Sequence, residues 1–185
     1  MMKYRTICLD YDGTIHDSIQ IYFPAFLKAF DYLVAHGLQK HKNWTREEVA
    51  SFLGQNPLEM WGSFRPKLPL DVIEVVSKMI GEEMSRAIEN SQAKLYQGAL
   101  ETLEYLKNKG YYLVYLSNSK IYYMERNRQQ FQLDRYFDRF VVSEQYGYIP
   151  KKDILKAIKH ELAGPILMIG DRIHDMESGH ANEID

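Results

Sequence analysis

The sequence predicts an α/β fold in which a parallel sheet is interrupted by a helical insert, and three observations lead to it. From Gly98 onward, helix-like and strand-like segments alternate, as they do in parallel sheets with crossover helices. Over residues 14–98 the alternation is absent and the periodicity is helical. The first strand-like run is followed directly by two carboxylates, Asp10 and Asp12, and open α/β sheets bind ligands where their strands end.

The first strand is predicted by the apolar run Ile7–Leu9. Successive strand residues point to opposite faces, so Asp10 and Asp12 would share a face if the strand geometry continued through the turn. Gly13 lets the backbone bend there. One carboxylate could then attack while its neighbour handles protons, although Asp and Gly are also the residues of ordinary turns.

The helical insert begins soon after this acidic motif. A first helix is expected to run to about His36, and Thr45 with Glu48 forms a capping-box pattern that predicts a second helix start. A long helix is expected after Pro69. We therefore interpret residues 16–96 as one helical insert.

The remaining chain is predicted to supply the rest of the sheet. The expected elements are, in order, a helix ending near Gly110, a strand over Tyr111–Leu116, an amphipathic stretch over 120–133, a strand over Arg139–Val142, a helix over Lys152–Leu162 and a strand over Pro165–Ile169.

Three polar motifs follow these later elements, and each is expected at the end of a strand. They are Ser117–Asn118, Lys151–Lys152 and the segment Gly170–Asp175, which carries Asp171 and Asp175. Taken alone, the first could be a strand-to-helix cap and the second a solvated helix start. Together with the first acidic pair, they supply two pairs of carboxylates, a hydroxyl or amide donor and a cation.

These motifs closely resemble those of the haloacid dehalogenase-like (HAD) hydrolase superfamily, in particular its phosphoglycolate phosphatase-like branch. The resemblance implies a Rossmann-like parallel sheet core over residues 1–15 and 97–185. It also implies that residues 16–96 form a helical cap domain, which closes over the site and selects the substrate. The chain stops at Asp185, whereas relatives usually continue through another strand and helix, so we expect a truncated chain or a reduced core.

The resemblance also implies a set of catalytic roles. Asp10 would attack phosphorus and form an aspartyl-phosphate. Asp12 would give its proton to the leaving alcohol and then take one from the attacking water. Lys151 would hold Asp10 and the phosphoryl group together. The family lysine often lies in a Lys-Pro-x-Pro context that is absent here, so Lys152 competes for this role, although alignment on the helix start that follows favours Lys151.

Metal and substrate binding are implied in the same way. Mg²⁺ prefers oxygen ligands and keeps several waters. Asp10 and Asp171 would offer side chains and Asp12 its backbone carbonyl, while Asp175 would orient a metal-bound water or the lysine. The residues expected to bind the substrate's phosphoryl group or to shape its loop are Gly13, Thr14, Ser117 and Asn118.

Composition limits the other classes of function. A formal net charge of −2 gives no general attraction for nucleic acid. No apolar run approaches the roughly 20 residues that span a bilayer, so no membrane association is expected. The single cysteine, Cys8, has no disulfide partner, which favours a reducing compartment. We expect a cytoplasmic protein, while the sequence leaves its oligomeric state open.

The sequence thus predicts a Mg-dependent phosphatase of small phosphorylated metabolites, such as phosphoglycolate or sugar phosphates. A phosphomutase of the same superfamily would use the same aspartyl-phosphate but return the phosphoryl group to sugar. A catalytically silent HAD-like domain that binds a partner is the third reading. Intact Asp10, Asp12 and Lys151 argue against the silent domain.

Overall fold

A computed structural model describes residues 3–55 and 57–185 of the chain. In this part four parallel strands form one sheet, in the order β3-β2-β1-β4. The strands are β1 (Thr6–Leu9), β2 (Tyr112–Ser117), β3 (Arg139–Val142) and β4 (Ile166–Ile169). One of the two inner strands is β1, whose Leu9 lies opposite Tyr115 of β2 and Ile169 of β4. Asp10, the next residue, is therefore at the carboxyl edge of the sheet.

The described chain contains eight α-helices, of which five lie between β1 and β2 and the first four form the helical insert. These are α1 (Ile19–Ala35), α2 (Arg46–Ala50), α3 (Pro57–Gly62), α4 (Leu70–Glu89), α5 (Ala99–Asn108), α6 (Ile121–Gln130), α7 (Lys151–Ile158) and α8 (Ile173–Ala181). None of the helices in the described chain is both long enough and apolar enough to cross a membrane.

The structure confirms the α/β fold with a parallel sheet and a helical insert. The strand over Arg139–Val142 has the predicted bounds. The capping box of α2 is also present: the Glu48 amide donates to the Thr45 hydroxyl at 3.2 Å, and the Thr45 amide donates to the Glu48 carboxylate at 2.9 Å.

Several element boundaries differ from the prediction. The strand expected over Tyr111–Leu116 runs over Tyr112–Ser117, and the one expected from Pro165 begins at Ile166. Lys151 and Lys152 were placed at the end of a strand, but they open helix α7, and a 3₁₀ turn over Ser143–Tyr146 separates them from β3. The helix expected over Lys152–Leu162 ends at Ile158 and gives way to a 3₁₀ turn. The apolar run that ends at Val142 carried no signal for the intervening turn.

The chain divides into two compact units. One consists of the chain up to Asp17 together with Leu95–Asp185, and it contains the sheet. Both faces of this sheet are covered: Tyr115 belongs to one buried apolar cluster, and Val114 belongs to another. Such burial on both sides is typical of parallel sheets and explains their continuous apolar runs.

The second unit, Ser18–Lys94, is helical and has its own aromatic core. Phe26 of α1 is fully buried at its centre. Its ring stacks on Trp61 with centroids 5.8 Å apart and meets Trp44 edge-on at 5.1 Å. Aromatic packing of this kind accounts for the aromatic residues at helical spacing in α1.

Candidate active site

A buried lysine links two carboxylates at the carboxyl edge of the sheet. Lys151 Nζ lies 2.7 Å from Asp10 Oδ1 and 2.5 Å from Asp175 Oδ1. Asp10 follows β1, Lys151 is the first residue of α7, and Asp175 lies in the first turn of α8. All three are buried, with exposures of 6%, 5% and 1% respectively. Charged groups from three separate elements therefore meet at one buried position.

Burial and neighbouring charge set the protonation of this group. Burial raises the pKa of Asp10 to about 7, since Lys151 opposes the shift only in part and Asp175 adds to it. Burial alone would lower the pKa of Lys151, but the two carboxylates outweigh burial and raise it. The lysine thus stays charged while Asp10 can exchange a proton near neutral pH.

The loop before α8 fixes the Asp175 carboxylate. The backbone N–H of Arg172 donates to Asp175 Oδ2 at 3.0 Å, while Oδ1 accepts from Lys151. Gly170 packs directly on this carboxylate, and a Cβ at that position would overlap it. The glycine is therefore required by close approach, which is a stronger reason than the flexibility of a turn.

Asp171 completes a group of three carboxylates. One oxygen each from Asp10, Asp171 and Asp175 lie within 4.8 Å of one another. Asp171 is exposed and packs against Gly13, which has φ +87° and no room for a Cβ on that side. Lys151 contacts two of the three carboxylates, and Arg172 Nε lies 3.2 Å from Asp171 Oδ2, so three carboxylates face two cations. Oxygen ligands with excess negative charge suit a hard divalent cation, so the residues fit a metal of this class.

The Asp12 side chain lies outside this group and has partners of its own. Its Oδ1 is 2.9 Å from His16 Nδ1 and 2.7 Å from the Tyr123 hydroxyl. The His16 side chain is fully buried, and 29% of the Asp12 side chain is exposed. The sequence motifs did not single out His16. Its place four residues after Asp12 was the one available signal.

The chain also matches a known protein family. A family model described as haloacid dehalogenase-like hydrolase matches residues 7–185. The chain belongs to this family. The predicted resemblance is thereby confirmed, as is the prediction of a HAD-like hydrolase of the phosphatase type.

Individual relatives of this HAD-like chain are distant but cover nearly all of it. The pyrophosphatase PpaX of Bacillus mycoides is 22% identical over 182 residues, which are 96% of this chain and 80% of that protein. Two solved structures share the fold. A predicted phosphoglycolate phosphatase from Haemophilus somnus has a TM-score of 0.82 at 18% identity, covering 100% of this chain and 84% of that one. CbbY from Rhodobacter sphaeroides, solved with phosphate, has a TM-score of 0.73 at 17% identity, with coverages of 98% and 84%.

The HAD-like sheet also positions the residues predicted to bind substrate. Ser117 is the last residue of β2 and is buried, and Asn118 beyond it is exposed. Because β1 and β2 are parallel, Ser117 lies at the same edge of the sheet as Asp10. The Thr14 hydroxyl is buried and has no hydrogen-bond partner among the described residues. The Asp12 carboxylate contacts His16 and Tyr123 instead.

The two candidate lysines occupy different environments. Lys151 is buried against Asp10, whereas its neighbour Lys152 is exposed on α7. Adjacent residues on a helix point in different directions, so the side chains of Lys151 and Lys152 do not reach the same site.

Proposed function

We propose that the protein is a Mg-dependent phosphatase of small phosphorylated metabolites that works through an aspartyl-phosphate on Asp10. The observation that carries this proposal is the contact of Lys151 Nζ with Asp10 Oδ1 and Asp175 Oδ1, beside the exposed carboxylate of Asp171. An ionised carboxylate at the end of β1, held by one cation, is suited to attack phosphorus.

The first chemical step uses both carboxyl groups of the first motif. An Asp10 oxygen bonds to phosphorus while the bond from phosphorus to the ester oxygen breaks. Asp12 is protonated at the start of this step. It transfers its proton to the departing oxygen, which leaves as an alcohol. Protonation by a positioned group contributes about 10²–10⁴-fold to such reactions.

The second step reverses the role of Asp12. Its carboxylate takes a proton from a water that attacks the phosphorus of the aspartyl-phosphate. The bond between phosphorus and the Asp10 oxygen breaks, inorganic phosphate leaves, and Asp12 is again protonated. Asp10 is regenerated as a carboxylate, so one water is consumed for each ester hydrolysed.

Mg²⁺ is the cation assigned to the carboxylate group, with Asp10 and Asp171 as side-chain ligands, the Asp12 carbonyl as a third and Asp175 in an orienting role. When bound, the ion neutralises charge on the phosphoryl oxygens. Lys151 adds a second positive charge from the protein itself and keeps Asp10 oriented. Gly13 keeps the loop close to Asp171.

Ser117 and Asn118 are assigned to the phosphoryl group. The edge position of Ser117 lets its hydroxyl donate to a phosphoryl oxygen, and the Asn118 backbone amide is the next donor along the chain. Thr14 has a buried hydroxyl without a partner in the described chain, which makes it a further donor for this group. Hydrogen bonds fixed in advance in this way stabilise developing charge.

The choice of compounds follows from the relatives, because the residues assigned to the phosphoryl group do not distinguish one phosphorylated metabolite from another. Phosphoglycolate, sugar phosphates and pyrophosphate are the compounds to test first, because the relatives include a protein named as a pyrophosphatase and another described as a predicted phosphoglycolate phosphatase. A phosphomutase would share Asp10 and Asp12, but it would release little phosphate and would need a bisphosphate activator.

The experiment measures phosphate release from these compounds with and without Mg²⁺, with the Asp10→Asn variant run beside the wild type. We expect turnover that needs Mg²⁺ and is lost in the variant, because an amide is a poor nucleophile. Circular dichroism of the variant controls for folding. Metal-independent turnover, or full turnover by Asp10→Asn, would reject the mechanism, and silence of the wild type on every compound would favour a non-catalytic role.

A further inference from the structure

We propose that His16 and Tyr123 are positioning residues that hold Asp12 by one oxygen, Oδ1, and thereby confine the exchangeable proton to the other oxygen, Oδ2. This inference rests on the proposed function, because it assigns a role to Asp12 as acid and base. It concerns which oxygen carries the proton and which side chains enforce that choice.

The first support is the geometry around Oδ1. The Tyr123 hydroxyl lies 2.7 Å from Asp12 Oδ1, and His16 Nδ1 lies 2.9 Å from the same oxygen. The hydroxyl and Nδ1 are themselves 3.0 Å apart. Two donors converge on one carboxyl oxygen, and two hydrogen bonds occupy both of its lone pairs.

The hydrogen-bond network assigns the proton of the imidazole to Nδ1. His16 Nε2 is buried and has no hydrogen-bond partner among the described residues. A hydrogen on Nε2 would therefore be an unpaired buried donor, which costs about 1–3 kcal/mol. With its hydrogen on Nδ1, His16 donates to Asp12 and leaves a bare lone pair on Nε2. The Tyr123 hydroxyl is then free to donate its own hydrogen to Oδ1.

The consequence for Asp12 is chemical. An oxygen that already accepts two hydrogen bonds is a carbonyl-type acceptor in the protonated acid, so the hydrogen of the acid resides on Oδ2. Oδ2 then donates to the leaving oxygen in the first step and accepts from water in the second. Both steps use the same atom in the same orientation, which is what a rapid change of role requires.

The two positioning residues are themselves held in place. The ring of Tyr11 stacks on His16 with centroids 5.1 Å apart and planes inclined by 19°. Its hydroxyl donates to the buried Asn127 at 3.0 Å, and Asn127 donates back to the Tyr123 carbonyl at 3.0 Å. Tyr123 and Asn127 are one helical turn apart on α6. Tyr11, which lies between Asp10 and Asp12, thus contacts His16 directly and Tyr123 through Asn127.

The test compares two kinds of substrate in four variants. Tyr123→Phe and His16→Phe keep an aromatic ring but remove a donor, His16→Asn retains an amide donor near the Nδ1 position, and Tyr105→Phe removes an exposed hydroxyl as the matched control. One substrate is an alkyl phosphate, whose leaving oxygen needs a proton. The other is p-nitrophenyl phosphate, whose leaving group departs as a stable anion.

We expect kcat/KM for the alkyl phosphate to fall about 10- to 100-fold in Tyr123→Phe and in His16→Phe, a part of the roughly 10²–10⁴-fold that a positioned acid contributes. kcat/KM for p-nitrophenyl phosphate is expected to fall far less, since it reports a first step that needs no acid. His16→Asn should recover part of the loss, and Tyr105→Phe should match the wild type.

A merely structural role would lower kcat/KM for both substrates by the same factor, and that result would overturn the inference. An unchanged ratio between the substrates in Tyr123→Phe would overturn it as well. If His16→Phe fails to fold, Tyr123→Phe alone decides, because it loses one oxygen atom. Failure of the proposed function looks different: the wild type itself would then release no phosphate from either compound.

Discussion

At the scale of single residues, Lys151 controls the electrostatics of the site. It contacts the two buried carboxylates of the group of three, whereas Arg172 pairs with the exposed third, Asp171. Burying charges is tolerable when they are paired, whereas removing one partner leaves the others uncompensated. The contribution of Lys151 to folding and its contribution to chemistry therefore arise from the same two contacts.

Replacement of Lys151 by Met is expected to abolish phosphate release and to lower the free energy of unfolding by about 3–5 kcal/mol, the usual cost of breaking a buried pair. Lys152→Met, the same change at the exposed neighbour, should stay within about 0.5 kcal/mol of the wild type. Urea unfolding of both variants checks this. Equal stabilities for the two variants would contradict the prediction.

The raised pKa of Asp10 predicts how cation binding depends on pH. Its carboxyl holds a proton below about pH 7, and a cation must displace that proton. Apparent Mg²⁺ affinity should therefore weaken as pH falls through this value, about tenfold from pH 8 to pH 6. Isothermal titration calorimetry measures the affinity, and buffers of different ionisation enthalpy report the proton released. Asp10→Asn should abolish the dependence, and a flat affinity in the wild type would refute it.

The raised pKa of Asp10 also determines how the free energy of unfolding changes with pH when no cation is bound. Between the ordinary carboxyl value and about pH 7, the folded state binds the Asp10 proton and the unfolded state does not. The free energy of unfolding of the cation-free protein should therefore decrease as pH rises through this window. Thermal unfolding in a metal chelator tests this, and a rise in stability over the same range would contradict it.

At the scale of secondary-structure elements, the site depends on how closely α8 approaches the end of β4. Gly170 lies between these two elements and touches the Asp175 carboxylate, with no space for a methyl group. The contact fixes where α8 begins relative to the sheet. A change in this loop would move Asp175 away from the position where it accepts the Lys151 hydrogen bond.

Gly170→Ala is expected to destabilise the protein by about 1–3 kcal/mol, the cost of overpacking a close contact, and to reduce activity by displacing Asp175. Gly81 in α4 is the matched control, because no atom lies within 4 Å of its would-be Cβ. Gly81→Ala should raise stability by about 0.5–1 kcal/mol, since Gly weakens a helix interior. Urea unfolding of both variants decides, and a stabilised, fully active Gly170→Ala would disprove the close-contact argument.

The strands show how far sequence reasoning reaches at this scale. A parallel strand that is buried on both faces is a continuous apolar run. The sequence therefore predicted both ends of β3, and the run Ile7–Leu9 indicated β1. The contact of His16 with Tyr123 could not be predicted, because the two residues are 107 positions apart in the chain. Local pattern identifies elements, whereas the partners of a buried polar side chain are set by the assembled fold.

At the scale of the whole molecule, the chain forms two units with separate apolar cores. The helical unit is built around Phe26, and the sheet unit around residues such as Tyr115. A core of its own is the property that allows a domain to be stable independently. That residues 16–96 act as a cap domain, which closes over the site and selects the substrate, remains a prediction.

Phe26→Ala is expected to cost about 3–5 kcal/mol, the usual penalty for a buried aromatic cavity. Because Phe26 packs within the helical unit, amide hydrogen exchange should accelerate in α1 and α4 and stay slow in β1 and β2. Equal acceleration in the strands would show instead that the two units unfold together.

The inner position of β1 in the sheet has a consequence for the order in which the chain folds. This strand precedes the helical unit in the chain, whereas both of its neighbours, β2 and β4, follow that unit. Contacts between residues close in the chain form sooner than those that close long loops. We expect the helices of residues 18–94 to form while β1 still lacks partners, so that Asp10 meets Lys151 only after α7 has been synthesised.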